Sequence, residues 1–343
     1  MKKITIKDVA REAGVSVTLV SFVMNAKMDE NGKLDCPVNA ETAARVLEVA
    51  KRLGYRRNAA AASLRSGRSN TIAVIPTDIS NKFFAGISRF IEDKAHSYGY
   101  NVLFGSSDEN AQKLDAVLDT VLSYNIDGLI VAPVKGGEEA IAKAIDAHVP
   151  VVLLDRDIES LQGVGKVLLD DVEAGRMATS LLASRGFRRI EMISYSLGIT
   201  SLTEREEGYR QAMSEAGLQD FVSIHYVEYG GTSEDVSRIV LDAVGRGVDA
   251  LFLPTYTISS KVLAVMRSHG ISTPGDLAVV AFDESDVYSL YESTVAHIVQ
   301  PLRSLGEQSV EILHEMIEDN NSGSTILLKP DLVDGGSAQK INR

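Results

Sequence analysis

The sequence predicts a small all-α helix-turn-helix head followed by an α/β core of two doubly wound parallel-sheet subdomains. Three observations carry this. Apolar residues recur at helical spacing through the first 55 residues, with glycines at the breaks. From Thr71 onward short apolar runs alternate with amphipathic helical patterns, and the alternation occurs twice over. Charge also divides the chain: residues 1–70 hold 13 Lys/Arg against 7 Asp/Glu, whereas residues 71–343 hold 22 against 40. Within a formal net charge of −12, a basic head on an acidic body puts positive charge where phosphate binding requires it. A solvated basic tail is the plain alternative, but the apolar periodicity of this segment argues that it folds.

In the head, Thr5 stands at an N-cap position with Asp8 three residues on, a variant of the capping box. Ile6, Val9, Ala10 and Ala13 repeat at helical spacing and Gly14 ends the first helix. Gly14-Val15-Ser16 forms a tight turn, and Ser16 caps a second helix running to about Met24. There Leu19, Val20 and Val23 face the first helix, while Val17, Thr18, Ser21, Phe22 and Asn25 point outward. A third helix starts at Asn39 and buries Ala43, Val46, Leu47, Ala50 and Leu53 before Gly54. Two helices joined by a glycine-containing turn and braced by a third are a helix-turn-helix.

At 343 residues the chain suits two or three domains rather than one core. The single cysteine, Cys36, excludes an intramolecular disulfide and fits a reducing compartment. The MKKIT start carries no apolar run of the secretory kind, and no window approaches the roughly 18 apolar residues of a membrane span. The expected location is the cytoplasm.

The stretch TIKDVAREAGVSVTLVSFVMN and the later VNAETAARVLEVAKRLGY closely resemble the head of the LacI/GalR family of bacterial transcription regulators. The resemblance implies base-edge contacts from Val17, Thr18 and Phe22, and phosphate contacts from Thr5, Ser16, Ser21 and Asn25. Hydroxyls and an amide position a helix on phosphates without reading sequence. Val17 and Phe22 are apolar, so thymine methyls are their natural target; for Phe22 a core role is the alternative. The loop from Lys27 to Pro37 is several residues longer than the family pattern and reads as an exposed insertion, with Asn31-Gly32 suited to a hairpin turn.

Residues 57–70 form the connector between a DNA-binding domain at 1–56 and a core at 71–343. By the resemblance it is a hinge helix that forms on DNA, with Asn58 as N-cap and Leu64 wedged between base steps. The family's proline before it is Arg57 here. A flexible basic linker is the alternative.

Strand-like runs in the core are TIAVIP, NVLFG, GLIVAP and VVLLD, then RIEMIS, IHYVEY, ALFLP and LAVVAFD. By the resemblance this is a type I periplasmic-binding-protein-like core whose chain crosses between subdomains near Asp170, Gln300 and Lys329. Subdomain one then spans about 71–169 plus 301–328, and subdomain two about 170–300 plus 329–343. Ligands of open parallel sheets bind beyond the strands' carboxyl ends, where Ser107 and Arg156 fall. The resemblance adds Asp78, Phe83, Phe84, Arg205 and Asp283 as effector contacts. A carboxylate common in the family is missing after ALFLP, and Tyr256 stands in its place. Lys82 and Arg205 near one cleft favour a phosphorylated ligand if Lys82 faces inward.

No dinucleotide or phosphate loop, no Gly-x-Ser-x-Gly elbow and no metal-spaced histidine pair occurs. Neither a catalytic residue, a metal nor a cofactor is expected. A transport solute-binding protein would not carry a basic helix-turn-helix, and an architectural DNA binder would need no large cleft. The expectation is a homodimeric, ligand-switched regulator, by family habit a repressor, on a pseudo-palindromic operator. A sugar or sugar phosphate is the favoured effector; a nucleobase or a protein co-regulator stays open. The end, DGGSAQKINR, lacks the apolar heptads of a tetramerising helix.

Overall fold

A computed structural model describes residues 4–26, 34–55, 67–291, 293–319 and 321–340. The chain divides into two compact units, Met1–Ser69 and Asn70–Arg343.

The first unit holds α1 (Ile6–Ala13), α2 (Val17–Asn25) and α3 (Ala40–Leu53). Its boundaries are set by local chemistry. Thr5 N and Thr5 Oγ1 both donate to Asp8 Oδ2, at 3.0 and 2.7 Å, while Gly14 ends α1 at φ +64°, a conformation glycine adopts without steric cost. Ser16 Oγ accepts from Leu19 N at 3.2 Å and Asn39 Oδ1 from Thr42 N at 2.8 Å. Val9, Val20 and Val46 are fully buried at the centre of the three helices. One position differs from the sequence expectation: Leu47 is 36% exposed, and Val49 is buried in its stead. The face of α3 that meets the other two helices runs through 43, 46, 49 and 50, which turns Leu47 aside. Of the inserted loop, Leu34 and Cys36 pack against this core; Asn31-Gly32 lies outside the described residues.

The second unit contains two six-stranded sheets. Sheet one takes β1 (Thr71–Ile75), β2 (Asn101–Phe104), β3 (Gly128–Val131), β4 (Val151–Leu154), β5 (Gly165–Leu169) and, from the far end of the chain, β11 (Thr325–Leu328). All its pairings are parallel, in the order β11-β5-β4-β3-β1-β2. Its flanking helices are α4 (Lys82–Ser97), α5 (Ala111–Ser123), α6 (Glu138–Asp146) and the late α11 (Leu302–Asp319). Sheet two takes β6 (Ile190–Tyr195), β7 (Ile224–Val227), β8 (Ala250–Phe252), β9 (Ala278–Phe282), β10 (Ala296–Val299) and β12 (Asp331–Val333). Its order is β12-β10-β9-β8-β6-β7, and only the β10–β12 pair is antiparallel. Around it lie α7 (Asp171–Ser184), α8 (Thr200–Glu215), α9 (Ser233–Gly245) and α10 (Tyr256–Ser268).

Strands covered by helices on both faces are apolar throughout, as β3, β4 and β9 are. Each sheet therefore has a core on either side. The chain passes between sheets after β5, after β10 and after β11. The first and third crossovers are tied together by Asp170 N donating to the Leu328 carbonyl at 2.8 Å.

One close approach shapes subdomain two. An added Cβ on Gly175 of α7 would lie 2.1 Å from the Arg205 carbonyl oxygen, and one on Gly208 of α8 2.0 Å from that of Val172. The two helices meet backbone to backbone, through residues that have no side chain there. Among the described residues, no helix is long and apolar enough to cross a membrane.

Candidate nucleic-acid interface and ligand cleft

In the head, the outward positions of α2 form one face. Val17 is 40% and Phe22 49% exposed, so the core alternative for Phe22 is removed. Thr18 and Asn25 are exposed and Ser21 half-buried on the same side. An apolar pair in water on an otherwise polar face calls for a partner surface. The polar groups are partly engaged already. Asn25 Nδ2 donates to the Ser21 carbonyl at 2.6 Å and to Ser21 Oγ at 3.1 Å. Ser16 Oγ accepts the cap bond, which leaves its hydroxyl proton available to a phosphate. Thr5 Oγ1 spends its proton on Asp8, so a phosphate contact there costs that bond. Asn58 and Leu64 lie outside the described residues.

In the core, the carboxyl ends of the two sheets face one another across a cleft. Six of the eight expected effector positions line its cavity: Phe83, Phe84, Arg156, Arg205, Tyr256 and Asp283. Phe83 and Phe84 stand edge to face, ring centroids 4.9 Å apart, at the start of α4. Asn81 Oδ1 caps that helix by accepting from Phe83 N at 3.1 Å. The other two positions do not line the cavity. Asp78 Oδ1 is turned back to accept from Ser80 N and Oγ at 2.8 and 2.7 Å. Ser107 is fully buried, its Oγ without a partner.

Each arginine arrives with its own counter-charge. Arg156 Nη1 and Nη2 donate to the two Glu109 oxygens at 2.8 and 2.7 Å, and Nη1 also to the Pro133 carbonyl at 3.0 Å. Arg205 Nε donates to Asp171 Oδ1 and its Nη1 to the Pro254 carbonyl, both at 2.7 Å. Its guanidinium lies 3.9 Å from the centre of the Phe282 ring, a favourable placement for a cation. Two further carboxyls remain. Asp155 and Asp283 sit at the ends of β4 and β9 with φ +70° and +64°, an uncommon conformation that aspartate tolerates better than most residues. Asp283 Oδ1 accepts from Gln300 Nε2 at 2.7 Å and Oδ2 from Tyr256 N at 3.1 Å. Burial pushes the carboxyls of Asp155, Asp171 and Asp283 above their ordinary range, Asp171 to about 8, against the opposing pull of the neighbouring arginines.

Sequence reading missed Glu109, Asp171, Gln300 and a tyrosine wall. Tyr195 donates to Thr257 Oγ1 at 3.0 Å and meets Tyr229 edge to face at 5.4 Å. Burial, with Glu109 and Asp78 nearby, raises the Tyr229 hydroxyl to about 12. The free space within the cleft is about 50 Å³, room for a few waters. Lys82 does not line it; its ammonium pairs with Asp286 at 3.2 Å. The described residues contain no group of three or more His, Cys, Asp or Glu side chains placed to hold a metal ion.

Two family models match the chain: residues 5–58 fit bacterial regulatory proteins of the lacI family, and residues 72–321 a periplasmic binding protein domain. Catabolite control protein A of Priestia megaterium is 31% identical over 334 residues, 95% of this chain and 96% of that protein. The structure of a transcriptional regulator CelR–cellobiose complex superposes with a TM-score of 0.70 at 25% identity, covering 98% of this chain and 100% of that one. A lac repressor dimer bound to operator and an anti-inducer shares the fold, with a TM-score of 0.83 at 21% identity over 99% of this chain and 100% of that one.

Proposed function

Because this chain belongs to the lacI family of bacterial regulatory proteins, a family of transcription regulators and not of enzymes, we propose that it is a cytoplasmic, homodimeric repressor switched by an uncharged sugar. The heads of a dimer read the two halves of a pseudo-palindromic operator. Val17, Thr18 and Phe22 meet base edges, and Thr5, Ser16, Ser21 and Asn25 meet phosphates. Asn58 and Leu64 carry the hinge contact in the minor groove.

The ligand reading rests on one observation: both cleft arginines already have carboxyl partners within the protein, Arg156 in Glu109 and Asp155 and Arg205 in Asp171, and Asp283 adds a further carboxyl. A phosphate would find no guanidinium without a carboxyl partner, and Asp283 besides. Sugar hydroxyls can bond carboxylates and guanidiniums together, and Phe83, Phe84 and Tyr256 offer flat apolar faces. That CelR is described in complex with cellobiose supports the same class. A sugar needs more than about 50 Å³, so its entry moves the sheets apart at the three crossovers, and this movement alters the spacing of the paired heads.

The test is thermal unfolding of the whole protein with matched pairs: glucose and glucose 6-phosphate, ribose and ribose 5-phosphate, with cellobiose besides. A true ligand at 100 times its Kd adds about 2.7 kcal/mol. Stabilisation by an uncharged member, lost in Arg205→Ala, supports the proposal. Greater stabilisation by a phosphorylated member overturns the charge argument, and silence across the panel overturns the sugar class.

A further inference from the structure

A second cavity, of about 660 Å³, opens between the first turn of α4 and the turn that follows β9. Its size is that of a pocket for a small organic molecule. Phe83, Asp283 and Gln300 are shared with the cleft, but the remaining walls are its own. They come from both subdomains, Gly86 and Leu302 on one side and Tyr288 and His297 on the other.

Two acceptors on these walls have no donor among the described residues, and one of them, on Gln300, is buried. His297, on β10, is 6% exposed. Its Nδ1 lies 2.8 Å from the Val295 carbonyl oxygen, so Nδ1 carries a proton and, in the neutral ring, Nε2 is an acceptor. No described residue hydrogen-bonds Nε2, and the ring is steadied by Tyr288, 5.0 Å away between centroids. Gln300 is fixed in orientation because its Nε2 donates to Asp283; the reverse placement would set oxygen against carboxylate. Its Oε1 is left buried and without a partner. Buried polar groups of this kind call for an explanation.

The charge around the cavity is net negative. Asp283, Glu284 and Asp286 line it, and the one cation among the lining residues, Lys82, is held by Asp286. Phe83 and Tyr288 add aromatic faces. Carboxylates, acceptors lacking donors and aromatic faces together select a donor-rich cation with an apolar body. We propose that this cavity is a second ligand site, separate from the sugar cleft, and that it takes a small organic amine in its protonated form. Since its walls come from both subdomains, occupancy biases the same movement that the cleft ligand drives.

Benzylamine is the probe, with benzyl alcohol and benzoate as controls of the same shape. The whole protein, labelled with ¹⁵N-histidine, is titrated while ring resonances and Tm are followed. The expected result is a shift of the His297 ring signal and a rise in Tm of about 3 °C or more with benzylamine alone. Both effects disappear in Thr294→Phe, which fills the cavity from an exposed wall position, and the Tm rise disappears in His297→Phe. Three results overturn the site: no response to benzylamine, an equal response to benzoate or benzyl alcohol, or a benzylamine response that survives in Thr294→Phe.

Discussion

Arg156 and Glu109 face one another as a two-pronged ion pair at 2.7 and 2.8 Å, with side chains only 8% and 5% exposed. The backbone bends to make this possible: Asp108 and Glu109 both carry positive φ, +50° and +56°, which swings the glutamate from the end of β2 toward the end of β4. Removing one partner of a buried pair strands the other. Glu109→Gln is expected to destabilise the protein by about 3 kcal/mol, read from urea unfolding by circular dichroism. The same change leaves the cleft more positive, so glucose 6-phosphate should then stabilise the variant more than it stabilises the wild type.

The α7–α8 contact supports the second arginine from behind. Asp171 begins α7 and Arg205 lies on α8, and Gly175 and Gly208 set the distance between the two helices. Gly175→Ala has to push α8 away, because the obstructing atom is backbone. The expected outcome is a loss of about 2–4 kcal/mol together with loss of any ligand-induced rise in Tm. An unchanged Tm would show that the helices can part without cost.

Stability should depend on pH with a definite sign. Asp155, Asp171 and Asp283 hold their protons to higher pH in the folded chain than the ordinary carboxyl value of 3.8 allows. Each therefore favours folding fully at low pH, and the advantage is lost as pH rises through the folded value, about 8 for Asp171. Asp108 and Asp334, held low by hydrogen bonds from Lys113 and Arg185, act the other way, but only as pH falls below their ordinary range. Between pH 5 and 8 the urea midpoint should thus fall as pH rises, and Asp171→Asn should flatten the slope.

In the head, exposure separates recognition from stability. Phe22→Ala, at an exposed site, should leave the thermal unfolding of the head within about 0.5 kcal/mol of wild type while weakening operator binding and altering base preference. Val20→Ala, fully buried, should instead cost about 1–3 kcal/mol. Footprinting beside calorimetry checks both.

How much of this was legible in the sequence follows the range of the interactions involved. The head's caps are local, three residues apart, so Thr5, Gly14, Ser16 and Asn39 announced its helices. Long apolar runs announced eight strands. β5, β10, β11 and β12 were not read, and none is an unbroken apolar run: β5 carries Lys166, β10 His297, β11 Thr325 and β12 Asp331. Arg156, Arg205 and Asp283 were readable as charges at the ends of apolar segments. What neutralises them was not, since Glu109 reaches Arg156 across 47 positions and Asp171 reaches Arg205 across 34. Lys82 was misleading for the same reason, its partner Asp286 lying 204 positions away.

The central claim is that a sugar in the cleft and DNA on the head are bound by one coupled protein. The most direct measurement selects a duplex from a randomised pool with the whole protein, then titrates that duplex with and without a sugar that raises Tm. The account predicts an enriched pseudo-palindrome whose affinity changes about 5- to 150-fold with sugar, the change being lost in Arg205→Ala. An operator affinity that stays the same while sugar saturates the cleft would contradict it.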